Sequence, residues 1–146
     1  MSLTRSKNLL DFPLLNRMIN RPIFESQKSI GLKHAMIIHI IREQATVNEI
    51  REMLEELETY IKLAVDVERN VLAGGGEYHA DCEETLLEDG SRQEDIWGAD
   101  WYPETKTVEF GALINIRPRQ GNRRMEIEDS KLRTKIKTIV HQLLEV

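Results

Sequence analysis

Apolar and polar residues change period several times along the chain, and each period predicts a different element. Residues 36–41 (MIIHII) are apolar apart from His39 and predict a buried strand. Thr46 with Glu49 three residues on is a capping box, and Val47, Ile50, Met53, Leu54 and Leu57 follow at helical spacing, which predicts a helix. Glu52, Glu55, Glu56 and Glu58 fall on its wet face. From Tyr60 the pattern turns to strict alternation, with Ile61, Leu63, Val65 and Val67 on one face and Lys62, Ala64, Asp66 and Glu68 on the other. That predicts a half-buried strand, with helical spacing through Ile61, Ala64, Val65, Glu68, Val71 and Leu72 as its competitor.

Gly74, Gly75 and Gly76 break the pattern and read as a flexible connection. Asp81 with Glu84 repeats the capping spacing, and Gly90 suits a helix C-terminus, so a short helix is expected over 82–88, with a strand as the runner-up. Residues 96–102 and 107–116 read as two strands joined by a proline-led turn at 103–106. Val108, Phe110, Ala112, Ile114 and Ile116 would point inward on the second. Asp129 is the expected N-cap of a last helix with the stripe Leu132, Ile136, Ile139, Val140 and Leu143. The order βαβαββα, without an internal repeat, predicts an α+β fold with helices packed on a small mixed or antiparallel sheet.

Charge divides the chain. Residues 1–35 carry 6 Lys/Arg against 2 Asp/Glu, and residues 36–146 carry 14 against 23, so +4 stands beside −9. The first segment also scatters Pro13, Pro22 and Gly31 among Leu and Ile, and reads as a basic N-terminal extension of a single α+β domain at 36–146. An organellar targeting peptide, an overlong start with Met36 as the natural beginning, and an ordered arm built on residues such as Leu9, Phe12 and Phe24 compete, and the second is preferred. No apolar stretch approaches the roughly 18 residues a membrane-spanning helix needs. The lone Cys82 cannot form an internal disulfide and points to a reducing, cytoplasmic setting. A net charge of −5 gives no global footprint for nucleic acid.

Two clusters carry candidate chemistry. His79 and Glu83 share a face whether 79–83 is helix or strand, and Asp81 joins them in a strand. Imidazole with carboxylates can move protons or hold Mg²⁺ or Mn²⁺, and Asp66 and Glu68 could add oxygen ligands. The blander reading is a solvated or arginine-paired acidic surface. The second cluster is NIRPRQGNRR, with Arg117, Arg119, Arg123 and Arg124 in an otherwise acidic body. Their guanidinium forks suit an external anion or nucleic acid, and equally an internal network with Asp66, Glu68, Asp81 and Glu83; the internal network is the stronger expectation. Cys82 among acids reads as structural, and Trp97 and Trp101 read as core anchors.

The strings DVERNVLAGGGEYHADCEETLLEDGSRQEDIWGADW, INIRPRQGN and MEIEDSKLR resemble a small family of uncharacterised, mainly bacterial proteins that is a domain of unknown function. The resemblance runs from about Met36 to the C-terminus and implies no activity, cofactor or site residue. Two functions therefore stand side by side. One is a small binding or regulatory module that self-associates as a homodimer. The other is a divalent-metal-dependent hydrolase of a phosphorylated substrate, with Asp66, Glu68, His79, Asp81 and Glu83 around the metal and Arg117 and Arg119 on the anion. The hydrolase requires these side chains to meet at one cleft, and the module does not.

Overall fold

The computed structural model describes residues 36–146, so the three readings of residues 1–35 lie outside the described residues. Five strands and three α-helices follow in the order β1 His39–Ile41, α1 Val47–Met53, β2 Ile61–Asp66, β3 Val71–Gly74, α2 His79–Glu88, β4 Ile96–Tyr102, β5 Thr107–Glu109 and α3 Ser130–Leu144. The strands form one sheet in the order β1-β3-β2-β4-β5 with every neighbouring pair antiparallel, which makes the fold α+β as expected. Among the described residues no helix is long and apolar enough to cross a membrane.

The local signals that close within a few residues act as read. Thr46 Oγ1 accepts the Glu49 N–H at 3.1 Å while the Glu49 carboxylate accepts the Thr46 N–H at 2.9 Å, so the capping box opens α1. Asp129 accepts the Lys131 N–H at 2.9 Å and opens α3, whose Ile136, Ile139, Val140 and Leu143 are buried. The Ala45 N–H donates to the Leu143 carbonyl at 2.8 Å and ties the start of α1 to the end of α3.

Several expectations need correction. The alternating strand does not run on past Asp66. Its Oδ1 accepts the N–H groups of both Glu68 and Arg69 at 2.9 Å, Asn70 takes a left-handed φ of 57°, and the chain returns as β3, an extra strand where only a break was expected. The Gly74–Gly76 run is no flexible tether: all three are buried, and a Cβ on Gly75 (φ +110°) would stand 2.2 Å from the Ile37 carbonyl oxygen. Helix α2 starts earlier than predicted, so Asp81 lies in its first turn, where its carboxylate accepts the Tyr78 N–H at 3.0 Å. Strand β5 stops at Glu109. Residues 110–116 leave the sheet in a loop with a 3₁₀ turn at Leu113–Asn115, Ile114 is half-buried, and Ile116 is 43% exposed rather than inward.

The sheet is covered on both faces. Ile61, Leu63 and Val65 join Leu72, Ala99, Trp101 and the buried stripes of α1 and α3 in the main core. The other face of β2, expected to be wet, lies under α2: Ala64 packs with Ala73, Cys82, Leu86 and Ile96, and Asp66 is fully buried. Sequence alternation alone distinguishes two faces and does not say whether the more polar one is covered.

Candidate functional site

The chemistry of the molecule gathers on the α2 face. β2 and β4 pair so that Lys62 stands opposite Asp100, and period two places both on that face. The buried glycine turn sets α2 down above them, and its first residue meets β4: His79 Nε2 is 2.7 Å from Asp100 Oδ1, with both side chains almost fully buried. Lys62 Nζ donates to the Glu77 carbonyl at 3.1 Å and sits 5.5 Å from the Tyr78 ring centroid.

The loop after β5 supplies the facing wall, held by buried amides. Asn115 Oδ1 accepts the Gly98 N–H at 2.8 Å, and its Nδ2 donates to the Gly98, Phe110 and Met125 carbonyls. The side chain thus pairs with the β4 edge as a neighbouring strand's peptide would, where β5 is too short to reach. A Cβ on Gly98 would lie 2.6 Å from that of Ala112, which explains the glycine between Trp97 and Ala99. Asn122 carries the fixation further, its Nδ2 donating to the Asn115, Arg124 and Glu126 carbonyls.

Between these walls lies a cleft of about 410 Å³. Tyr60, Lys62, Tyr78, His79, Ala80 and Asp100 line one side, and residues 111–114 with Met125 line the other. Leu113 is 72% exposed, Tyr78 60% and Met125 46%, so large apolar side chains stand at its mouth while the His79–Asp100 pair sits within. The arrangement can hold an apolar body and present a carboxylate-oriented imidazole and an ammonium to it.

The side chains singled out from the sequence take separate places. Glu83, one helical turn after His79, pairs with Arg117 at 3.4 Å, and Arg117 also donates to the Gln93 and Ile114 carbonyls at 2.7 and 2.9 Å. Its guanidinium stacks 4.7 Å from the Trp97 ring centroid, and burial pulls its pKa down while Glu83 opposes that shift. Arg117 is thus built into the fold, as the internal-network reading expected of it. Arg119, Arg123 and Arg124 are exposed, Arg124 lying 3.8 Å from Glu128. Asp66 sits in the β2–β3 turn with one carboxylate oxygen unpaired, and Glu68 beside it is exposed. Asp81 is used at the start of α2. Among the described residues no three His, Cys, Asp or Glu side chains converge to hold a metal ion, so the five donors proposed for Mg²⁺ or Mn²⁺ are not brought together. The buried Cys82 thiol, 3.4 Å from the Lys62 carbonyl oxygen, has its pKa pushed up to about 12 by burial and offers no ready thiolate.

Sequence reasoning singled out His79 and missed Asp100, Lys62, Tyr60 and Tyr78. A signal for Asp100 was present: a lone carboxylate in a strand whose neighbours are Trp97, Ala99 and Trp101 is on the opposite face from the tryptophans, and therefore needs a partner of its own.

Fold and cleft together define a single-sheet α+β domain with one apolar face and one face that gathers its buried polar groups. A family model described as "Protein of unknown function (DUF5674)" matches residues 39–143, and the chain belongs to that family. No curated protein and no solved structure matches it.

Proposed function

We propose that the chain is a binding module whose small organic ligand occupies the cleft between the start of α2 and residues 111–114. The cleft carries this reading: it has a volume typical of small-molecule sites, apolar walls, and a few convergent polar groups. Its walls are preformed, because the buried amides of Asn115 and Asn122 fix the loop to the β4 edge. Preformed walls reduce the ordering cost of binding. The hydrolase reading has less support: of its acids and arginines only Glu83 and Arg117 meet, as an internal ion pair, while Asp66, Asp81 and Arg119 lie elsewhere.

A neutral apolar dye, N-phenyl-1-naphthylamine, tests the proposal. Ala80 is exposed and lines the cleft, so Ala80→Trp fills it from a helix surface position. Dye fluorescence should rise on the wild type and fall back at least about tenfold in apparent affinity with Ala80→Trp, at an unchanged melting temperature. Equal binding by the two proteins would reject the cleft as the ligand site.

A second reading rests on the 2.7 Å His79–Asp100 contact. A carboxylate that accepts one ring N–H orients the imidazole and leaves its other nitrogen as the acceptor, which is the arrangement of a general base. On this reading the bound ligand is also a substrate that loses a proton to His79.

A further inference from the structure

We infer that the ligand is an amphiphilic organic monoanion, its apolar body in the cleft and its single negative head group on Lys62. The inference rests on the cleft reading above and adds the charge of the occupant.

Among the described residues Arg42, Arg69, Arg92, Lys106, Arg117 and Arg124 each reach a carboxylate, and Lys62 is set apart from the other unpaired cations by lining the cleft. Lys62 stands directly opposite Asp100 in the β2–β4 register, yet Asp100 takes His79 at 2.7 Å and forms no ion pair with the lysine. Among the described residues no carboxylate lies within 4 Å of Lys62 Nζ, which donates once, to the Glu77 carbonyl at 3.1 Å. An ammonium has three N–H groups, so two remain for an acceptor. The Tyr78 ring 5.5 Å away holds the head group at the cleft rather than letting it swing into water.

The wall opposite Lys62 is uncharged along residues 111–114, and Leu113 and Met125 extend apolar surface beyond the rim. A charge pair formed against such a wall is less screened than one on an open surface. The charges of the lining limit that of the ligand. Lys62 contributes one positive charge and Asp100 one negative charge to the lining, so a monoanion finds its counterion whereas a dianion keeps an unmatched charge near Asp100. Carboxylate or sulfonate heads on an apolar body fit, and free phosphate, which has no apolar part, does not.

The experiment compares 1-anilinonaphthalene-8-sulfonate, a monoanion, with N-phenyl-1-naphthylamine, the same ring system without the sulfonate. Fluorescence titrations are run on the wild type and on Lys62→Met, Lys62→Arg and Ala80→Trp. The expected result is a preference for the anionic dye of about tenfold in the wild type. Lys62→Met abolishes the preference by weakening the anionic dye, Lys62→Arg retains it, and Ala80→Trp weakens both dyes. Millimolar inorganic phosphate does not displace the anionic dye. A preference that survives Lys62→Met overturns the charge inference and leaves the cleft reading standing. Neutral-dye binding that survives Ala80→Trp, or no binding of either dye, overturns the cleft reading itself. Should Lys62→Met fail to fold, Lys62→Gln takes its place, with the same outcome required.

Discussion

The two faces of the sheet are built from different materials. Toward α1 and α3 lie Leu63, Trp101, Ile136, Leu144 and their neighbours, a continuous apolar core. Toward α2 the apolar cluster is smaller, made of Ala64, Val71, Ala73, Cys82, Leu86 and Ile96. Around it stand buried polar side chains: Asp66, Glu83, Asp100 and, at the β4 edge, Asn115 and Asn122. Apolar burial holds the chain folded without regard to direction, whereas buried polar groups demand defined partners and so fix geometry. One face supplies stability, and the other spends some of it on a positioned cleft.

Breaking the apolar face should have the largest effect. Leu63→Ala empties a fully buried position in the centre of the sheet, and we expect a loss of about 4 kcal/mol in urea denaturation. That is a large part of the 5 to 15 kcal/mol typical of a domain. Dye affinity measured on the fraction still folded should remain at the wild-type value. On the opposite face Arg117→Ala removes the guanidinium partner of Glu83, frees the Gln93, Ile96 and Ile114 carbonyls and uncovers Trp97, with an expected cost of about 3 kcal/mol by the same measurement. A cost near zero would mean that the polar face is decoration and not structure.

A smaller effect reads the rim of the α2 face through pH. The Arg42 guanidinium, then that of Arg69, holds the Asp89 carboxyl below the usual carboxylate range, against an opposing push from burial. A group whose folded pKa is depressed stabilises the fold above its unfolded value, near 3.9, and loses that contribution as pH falls through the folded value. Wild type and Asp89→Asn should therefore melt apart above about pH 4 and converge in stronger acid, with a difference below about 1 kcal/mol. The smallest expected effect on stability belongs to Cys82→Ala, because the smaller cluster beneath α2 loses only one sulfur. The native thiol, with its pKa near 12, should react with a disulfide reagent at pH 8 on the order of a thousandfold more slowly than after unfolding in urea.

What could be read from the sequence and what could not follows the range of the interactions. The capping pairs Thr46/Glu49 and Asp129 span three residues and place their helices directly. Strand β3 was hidden because its start depends on one side chain, Asp66, capping two amides of its own turn, while the following glycines look like a break. The alternation Val108, Phe110, Ala112, Ile114 looked like one strand, but the Asn115 amide draws the chain off the sheet to seal the β4 edge. His79 and Glu83 were visible from helical spacing. Their partners Asp100 and Arg117 come from 21 and 34 residues away, and only the register of β4 against β2 and the fold of the loop bring them in.

The measurement that meets the account most directly is an amide chemical-shift titration of the wild-type protein with 1-anilinonaphthalene-8-sulfonate. Shifts should concentrate at residues 60–62, 78–80, 98–100 and 111–114, leaving the amides of α1 and α3 in place. Shifts confined to α1 and α3, or spread evenly over both faces, would contradict the division of the sheet into a stabilising face and a binding face.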